Sequence, residues 1–371
     1  MPPLKKIRVL VVDDAIVVRR IVTDTLATDS EIEVVGTAAN GKIAQSKFDN
    51  LKPDAITMDI EMPEMDGLQA LQEIRKRDKK VPIIMFSTLT QRGGKATLDA
   101  LSFGASDYVT KPANVGSVSK AMDQVKNELI PRIKALCGRS VPKVTTGISN
   151  KLGGGGLGAK TPSLKTSPIN KGKVDILTIG VSTGGPNALA DLLPLIPGNL
   201  PVPVVLVQHM PPFFTKLLAD RLNEKCKLAV KEGESGQKLE PGTIWIAPGN
   251  FHMVLKKNGA NSITINTNQG ALENSCRPAV DVLFRSVCEI YKARTLGVIL
   301  TGMGQDGLIG CEQIKKVGGQ VVVQDEETSV VWGMPGFVAK SGIAEKVLPL
   351  KEIAHEITER VKVGRYAWMP N

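Results

Sequence analysis

Short apolar runs alternate with helix-length segments through the first 138 residues of the chain. The run at 7–12 stops at two aspartates, as a buried parallel strand would, and a helical pattern follows at 16–26. Strands that alternate with helices predict a doubly wound α/β sheet, in which functional groups lie at the carboxyl ends of the strands. The later apolar runs are 34–38, 55–58, 83–86 and 108–109.

The same alternation returns after residue 173. Apolar runs at 174–179, 203–208 and 295–300 each end in a loop of glycine or polar residues, and a helical pattern covers 353–361. This pattern predicts a second doubly wound α/β domain with a mainly parallel sheet.

Between the two patterned regions lies a segment, 139–173, without apolar periodicity and without an aromatic residue. It holds seven Lys or Arg, no Asp or Glu, and four consecutive glycines at 153–156. Such a composition predicts a flexible, self-repelling linker. We therefore expect a first domain at 1–138, a linker at 139–173 and a second domain at 174–371.

The formal net charge of +10 changes its meaning once it is divided among these regions. Residues 1–138 hold 20 basic and 18 acidic side chains, and residues 174–371 hold 20 and 19, so both domains are close to neutral. The excess belongs to the linker, which leaves two interpretations, contact with an acidic partner or a solvated spacer. The charge therefore does not predict a nucleic-acid partner.

The composition narrows the class of protein. Hydrophobic residues make up 42% of the chain, which excludes disorder of the whole chain. No run approaches ~18 apolar residues and no signal peptide is evident, so we expect no membrane insertion. The cysteines form no CxxC pair and have no metal-ligand spacing, which fits a reducing cytoplasm. We expect Cys137 to be exposed and the others to be buried as small apolar side chains, namely Cys226, Cys276, Cys288 and Cys311.

Chemically active side chains follow four strands of the first predicted sheet. Converging carboxylates repel one another, and Mg²⁺, which prefers oxygen ligands, is their natural counter-charge. A carboxylate beside Mg²⁺ can attack a phosphoryl donor, and a hydroxyl and a lysine can then bind the phosphoryl oxygens. The alternative is structural, with aspartates that cap the following helix and a surface lysine before a turn. The residues are Asp13 and Asp14, Asp59, Ser87 or Thr88, and Lys111.

Together with the loop at 62–67, this set resembles the receiver domain of response regulators, which has a flavodoxin-like five-stranded fold. The resemblance covers the whole first region and implies that a histidine kinase is the phosphodonor. It implies Asp59 as the phosphoacceptor, Asp13, Asp14 and Asp59 as the Mg²⁺ site, and Ser87 with Lys111 as the phosphorylation switch.

A glycine-rich turn follows the first strand of the second region. Residues 180–184, Gly-Val-Ser-Thr-Gly, match the bare pattern Gly-x-Ser-x-Gly. Three interpretations stay open on this motif alone: a nucleophile elbow, a phosphate-cradling loop, or a tight turn with a capping serine. The motif lacks the Gly-Lys-Ser/Thr ending that a nucleotide P-loop requires.

The next two strands lead to a histidine and an aspartate. His209 follows the strand at 203–208, and Asp306 lies in a glycine-rich loop after the strand at 295–300. With Ser182 they can form a nucleophile, a general base and an orienting carboxylate, all at strand ends. Their order along the chain disfavours the standard α/β hydrolases, in which the aspartate precedes the histidine.

Each of these assignments has an alternative. His252 also follows a turn and is a rival base, whereas His355 lies in the helical pattern at 353–361 and is expected on a helix face. Taken alone, Asp306 also fits an ordinary aspartate in a glycine-rich turn.

Taken together, the motifs of the second region resemble the catalytic domain of chemotaxis protein-glutamate methylesterases, the CheB family. The resemblance implies a serine hydrolase that removes methyl esters from chemoreceptor glutamates and releases methanol, with no cofactor for ester hydrolysis. Glutamine deamidation, which some members perform, stays open. Developing oxyanion charge needs preorganised N–H donors, which we expect from the backbone around Thr183, and the resemblance implies Met303 as the other donor. The matching segments are 180–186, 208–210, 247–253, 277–281, 301–307 and 332–335.

Two other classes of protein remain to be weighed. A receiver with a DNA-binding output domain would carry a basic domain of roughly 70–110 residues with a recognition helix, whereas the second region spans 174–371 and is nearly neutral. A receiver-controlled output or adaptor protein without esterase activity would keep the fold but not need Ser182, His209 and Asp306.

Overall fold

The computed structural model describes residues 5–111, 118–138, 170, 172–259 and 262–365. Nearly all of the predicted linker at 139–173 lies outside these residues.

The first region follows the predicted alternation of strands and helices. Its strands are β1 (Ile7–Val12), β2 (Ile32–Ala38), β3 (Ala55–Asp59), β4 (Ile83–Ser87) and β5 (Asp107–Thr110). Its helices are α1 (Ile16–Leu26), α2 (Gly41–Leu51), α3 (Gly67–Arg77), α4 (Gln91–Ser102), α5 (Val118–Gln124) and α6 (Ile130–Leu136), with a π-helical turn (Val125–Leu129) between the last two.

These strands form one parallel sheet in the order β2-β1-β3-β4-β5, which confirms the predicted doubly wound, flavodoxin-like fold. Strands β3 and β4 are buried along their whole length, because helices cover both faces of such a sheet. Because all five strands are parallel, their carboxyl ends lie at the same edge of the sheet, and the candidate phosphorylation residues lie at that edge.

The second region is built in the same way around a larger sheet. Its strands are β6 (Ile176–Val181), β7 (Val204–Gln208), β8 (Ala229–Glu232), β9 (Thr243–Ile246), β10 (His252–Asn258), β11 (Ser262–Asn268), β12 (Thr295–Ile299), β13 (Gln320–Gln324) and β14 (Lys346–Leu348). Its helices are α7 (Gly185–Leu192), α8 (Phe214–Asn223), α9 (Val280–Tyr291), α10 (Leu308–Lys316), α11 (Met334–Lys340) and α12 (Leu350–Lys362), with 3₁₀ turns at Leu193–Leu195 and Lys292–Arg294.

The large sheet has the order β14-β13-β12-β6-β7-β9-β8, and its neighbouring strands pair in parallel. Strand β6 comes first in the chain but lies between β12 and β7, so the strand order reverses there. Loops diverge at such a switch point and leave a crevice for a ligand. The antiparallel hairpin of β10 and β11 was not predicted, because its half-exposed, threonine- and asparagine-rich strands lack a continuous apolar run.

The two regions pack against each other through α4 of the first and α8 of the second. The rings of Tyr108 and Phe214 stack with their centroids 5.4 Å apart. Helix α4 approaches α8 closely at Gly94, where a Cβ atom would lie only 2.7 Å from Cδ1 of Leu217. One buried apolar cluster therefore runs from the first region into the second.

Among the helices in the described ranges, none combines the length and the apolar character that crossing a membrane would require.

Candidate functional site

The candidate phosphorylation site lies at the carboxyl edge of the first sheet. Carboxylate oxygens of Asp13, Asp14 and Asp59 approach within 4.8 Å of one another, and the first and last of these residues are buried. Lys111 Nζ lies 2.7 Å from Asp59 Oδ2 and 3.3 Å from Asp13 Oδ2. The structure thus brings these residues together, and only Asp14 is exposed to solvent.

Burial controls the electrostatics of this cluster. Burial and the neighbouring charge of Asp13 raise the pKa of Asp59 to about 6, although Lys111 opposes the rise. Burial also raises the pKa of Asp13, again against the pull of Lys111. One lysine therefore does not compensate the three carboxylates, and Lys111 is the one cation among the described residues that pairs with Asp13 and Asp59. An all-oxygen donor set with excess negative charge fits Mg²⁺.

Ser87, the predicted switch hydroxyl, is buried and bonded to helix α4 rather than to the acidic cluster. Thr97 Oγ1 donates to Ser87 Oγ at 2.6 Å, and Ser87 Oγ donates to the Gly93 carbonyl oxygen at 3.2 Å. The pairing of Asp59 with Phe86 places Ser87 one residue further along the neighbouring strand. The hydroxyl therefore lies on the strand next to that of Asp59 and contacts the helix that packs on the second region.

The candidate nucleophile Ser182 follows β6 and precedes α7 in a tight turn. Gly184 has φ +77°, in the left-handed region that glycine adopts without strain. A Cβ atom on Gly185 would lie 1.9 Å from the side-chain oxygen of Gln208 and 2.7 Å from Val181 Cγ2, so a larger residue would force these buried side chains to move. A Cβ atom on Gly302 would lie 2.8 Å from Ser182 Cβ, which shows that the loop after β12 passes directly beside the serine.

His209 lies beside this turn because the strands that carry the two residues are paired. Val181 pairs with Gln208, and the His209 backbone N–H donates to the Val181 carbonyl oxygen at 3.2 Å. The Nε2 atom of the imidazole lies 2.8 Å from Asp306 Oδ2. The structure thus brings the predicted base and orienting carboxylate into direct contact.

Asp306 is buried and held by a set of donors from the start of helix α9. The backbone N–H groups of Val280 and Asp281 donate to its two oxygens at 2.7 and 3.0 Å, and Asn274 Nδ2 donates at 2.9 Å. Burial alone would raise the pKa of Asp306, but His209 and these donors lower it below its usual value. Asp306 therefore keeps its negative charge and a single orientation.

Sequence reasoning missed two of the supports of this carboxylate. Asp281 is buried and accepts from the backbone N–H groups of Gly307 and Gly310 at 3.0 and 2.6 Å. Burial and the charge of Asp306 raise the pKa of Asp281 to about 7. Asn274 donates to both aspartates. Asp281 lies in the matching segment 277–281, but nothing in that segment indicates contact with Asp306.

The environment of His209 favours its protonated form. Burial lowers its pKa, whereas the sulfur of Cys276 and the carboxylate of Asp306 raise it, and the net result is a rise to about 10. A base of this kind binds a proton strongly, and the imidazolium that forms is stabilised by Asp306.

Within the described residues, no hydrogen bond joins Ser182 Oγ to His209. The Nδ1 atom of His209 instead lies 3.7 Å from Cys276 Sγ. Cys276 is half-buried in a polar loop, so the prediction that it is a buried apolar side chain is wrong. Cys288 and Cys311 are buried as predicted, whereas Cys226 and the predicted exposed Cys137 are half-buried.

The two predicted oxyanion donors are close to the serine in the chain or in the loop beside it. Thr183 follows Ser182 directly, and Met303 follows Gly302, where a Cβ atom would lie 2.8 Å from Ser182 Cβ. In the part of the chain that the structure describes, neither Thr183 N–H nor Met303 N–H donates a hydrogen bond.

The other two histidines have structural surroundings. His252 is buried, its Nε2 lies 2.8 Å from the Ala271 carbonyl oxygen, and its Nδ1 accepts from the Ala279 N–H at 3.3 Å. Both ring nitrogens thus form hydrogen bonds with the backbone, so His252 has no free nitrogen with which to act as the base. His355 lies on the exposed face of α12, as predicted.

The first region contacts the second beside the candidate nucleophile. Thr183 Oγ1 donates to Asp107 Oδ2 at 3.1 Å, and Asn187 Nδ2 donates to the Leu101 carbonyl oxygen at 2.8 Å. Burial raises the pKa of Asp107, although Arg132 opposes the rise. The residue next to Ser182 is therefore bonded to a buried carboxylate at the start of β5.

Comparison with known proteins agrees with this architecture. The CheB methylesterase family matches residues 177–357, and the response regulator receiver domain matches residues 9–123. A protein-glutamate methylesterase/protein-glutamine glutaminase of Trichodesmium erythraeum is 49% identical over 358 residues, which cover 96% of this chain and 100% of the relative. A relative of the same name from Nocardioides sp. is 52% identical over 369 residues, 98% of each chain. The crystal structure of the Thermotoga maritima CheB methylesterase catalytic domain is 45% identical, covers 50% of this chain and 98% of its own, and gives a TM-score of 0.49.

Proposed function

Since the chain belongs to the family of CheB protein-glutamate methylesterases with a receiver domain, we propose that Ser182, His209 and Asp306 carry its esterase reaction. The activity is that of a chemotaxis methylesterase under the control of a receiver. The alternative of an output or adaptor protein without esterase activity finds no support among these relatives. The contact between His209 and Asp306, with Ser182 on the adjacent strand end, is the observation that carries the assignment.

In the proposed reaction, Ser182 Oγ attacks the carbonyl carbon of a glutamate methyl ester. Because Nε2 of His209 is bonded to Asp306, the proton of the serine goes to Nδ1. The Thr183 and Met303 N–H groups stabilise the negative charge on the carbonyl oxygen. His209 then protonates the departing methoxide as methanol, and water hydrolyses the acyl-enzyme by the reverse use of the same groups.

The same nucleophile can attack a glutamine side-chain amide, with ammonia leaving instead of methanol. The relatives are named protein-glutamine glutaminases as well as methylesterases, which supports this second reaction. The proposed protein substrates are methyl-accepting chemoreceptors, and the proposed phosphodonor is a chemotaxis histidine kinase. A kinase partner and cysteines that form no disulfide bond within the described residues support a cytoplasmic location.

A methanol-release assay on methylated receptor membranes tests the assignment. The S182A variant should lose at least about 10³-fold of the rate, because no other hydroxyl replaces the nucleophile. Phosphorylation of Asp59 in the same variant should be unchanged. S341A, which removes a hydroxyl bonded to the Val338 carbonyl oxygen, is the matched control. Retention of methanol release by S182A would overturn the assignment.

The receiver site is proposed to take a phosphoryl group on Asp59. Asp13, Asp14 and Asp59 would hold Mg²⁺, which supplies positive charge to the phosphoryl oxygens. Lys111, already bonded to Asp59, can pair with a phosphoryl oxygen, and Ser87 can donate its hydroxyl to another.

Regulation is proposed to pass through helix α4. When Ser87 turns toward a phosphoryl group, it gives up its contacts with Thr97 and Gly93 of α4. Helix α4 packs on α8, and Asp107 of β5 accepts a hydrogen bond from Thr183, so the docked receiver contacts the second region right beside Ser182. Phosphorylation therefore biases the receiver away from the docked, inhibited arrangement.

A further inference from the structure

A thiol lies at the imidazole that the proposed mechanism uses as its base. Cys276 Sγ is 3.7 Å from His209 Nδ1, and it is half-buried rather than enclosed in the apolar core. Neither the ester hydrolysis nor the phosphorylation described above uses this thiol. The sulfur and the ring nitrogen are separated by 67 residues in the chain, so the contact is made by the fold.

The loop that carries Cys276 is held in place from several sides. Glu273 and Cys276 exchange backbone hydrogen bonds at 3.1 and 2.9 Å, which closes a tight turn. Asn274, inside the turn, donates to Asp306, and Glu273 forms an ion pair with Arg285 of helix α9. The turn thus holds the thiol beside the imidazole.

Cys276 and His209 have the donor atoms and spacing of two ligands of a transition metal, and the carboxylate of Asp306 lies beside them. Ligand-type atoms of His209, Cys276 and Asp306 lie within 4.8 Å of one another. A tetrahedral zinc with bonds of about 2.3 Å to sulfur and about 2.05 Å to nitrogen separates those atoms by roughly 3.6 Å. The sulfur and Nδ1 are already 3.7 Å apart, so a metal could enter between them with little movement.

The carboxylate completes the arrangement on the other side of the ring. Metal-binding histidines usually donate their second ring nitrogen to a carboxylate, which fixes the tautomer and the ring orientation. Asp306 holds Nε2 of His209 in this way at 2.8 Å, which leaves Nδ1 as the ligand atom.

We propose that Cys276 and His209 form a binding site for a borderline-soft divalent cation of the Zn²⁺ type, and that occupancy of this site inhibits the esterase. The metal bonds the Nδ1 lone pair that would otherwise accept the proton of Ser182, so both the thiol proton and the proton carried on Nδ1 of an imidazolium are released to solvent on binding. The inhibition rests on the proposed function of His209, whereas the metal binding does not.

The chain would thereby separate two metals by ligand chemistry. The acidic cluster Asp13, Asp14 and Asp59 offers only oxygen atoms, which suit Mg²⁺. The Cys276–His209 pair offers sulfur and nitrogen, which suit Zn²⁺ and Co²⁺. Millimolar Mg²⁺ used for phosphorylation therefore should not occupy the esterase site.

Binding is tested on the full chain in Mg²⁺ buffer by titration with Co²⁺, whose thiolate bond gives a near-ultraviolet charge-transfer band. We expect the band in the unsubstituted chain, its loss in C276S and in H209Q, and its displacement by Zn²⁺. C226S, which changes another half-buried cysteine, should keep the band. Absence of the band in the unsubstituted chain, or its persistence in C276S, would overturn the proposal.

Inhibition is tested by methanol release at increasing Zn²⁺, with each variant compared with its own metal-free rate. We expect half-inhibition of C276S to need at least about tenfold more Zn²⁺ than that of the unsubstituted chain or C226S. Equal sensitivity of C276S would overturn inhibition through this site. If the unsubstituted chain released no methanol even without metal, the proposed function would fail, while the Co²⁺ band would still decide whether the site exists.

Discussion

The two regions each place a buried aspartate at the carboxyl edge of a parallel sheet, yet the two aspartates have opposite properties. Asp59 faces a second carboxylate and one lysine, and its pKa rises to about 6. Asp306 accepts hydrogen bonds from two backbone N–H groups and one amide, lies against His209, and its pKa falls. The difference lies in the donors that surround each carboxylate.

This contrast separates two chemical roles for one residue type. A carboxylate with few donors keeps its lone pairs available, which suits the role of nucleophile toward phosphorus that we propose for Asp59. A carboxylate whose oxygens are all engaged is a poor nucleophile but a good anchor, which suits the orienting role that we propose for Asp306. The hydrogen-bond donors around each carboxylate, rather than its position on the sheet, distinguish the two proposed roles.

Among the changes that test this contrast, removal of the charge of Asp306 should lower the rate of methanol release the most. D306N should lower kcat for methanol release by about 10⁴-fold, because the amide cannot stabilise the imidazolium and favours the wrong tautomer. D281N, which changes the other buried carboxylate of the same network, should lower kcat for methanol release far less. An equal loss in both variants would mean that Asp306 acts only as a structural support.

The pH dependence of the esterase should sharpen the contrast further. His209 must be neutral to accept a proton, and its pKa is raised, so kcat/KM should rise with pH through the neutral range by about tenfold per pH unit. Asp306 and Cys276 face the imidazole from the two loops packed against it, and C276S should move the rise to lower pH. A plateau already complete near pH 7 in initial-rate measurements would contradict this account.

Loss of the phosphoacceptor should leave the esterase site intact and remove only its control. D59N should keep the basal rate of methanol release but lose the whole phosphodonor-dependent increase, for which a coupling of about 5- to 150-fold is typical. D49N, on the surface of the same region, should keep the increase. Stimulation that persists in D59N would show that another residue accepts the phosphoryl group.

A small change at the contact between the two regions should alter the rate of methanol release the least. In G94A the new methyl group meets Leu217, so the docked arrangement is weakened, and the basal rate without phosphodonor should rise by about threefold. Alanine favours a helix more than glycine does, so α4 itself should not be weakened. K95A, at an exposed position of the same helix, is the control, and an equal rise there would argue against inhibition by docking.

Much of the arrangement of the candidate site could be predicted from the sequence because both regions use parallel strands. An apolar run that stops at a polar residue identifies a strand end, and strand ends of one sheet meet at one edge. Asp59, Lys111, Ser182 and His209 were predicted to lie at strand ends in this way, and the structure places them there. The partners of Asp306 were not, because Asn274 and Asp281 lie in a loop and at a helix start whose position depends on tertiary packing.

The amino-acid sequence by itself determined the two doubly wound sheets and the side chains at their edges, because hydrophobic periodicity is a local property of the chain. Only the tertiary structure decided that Cys276 faces His209, that Thr183 is bonded to Asp107, and that Ser87 bonds helix α4. The first two contacts join residues 67 and 76 positions apart, so the packing of separate elements determines them. Ser87 and Thr97 are only 10 positions apart, yet the way α4 packs on its sheet decides where that hydroxyl bonds.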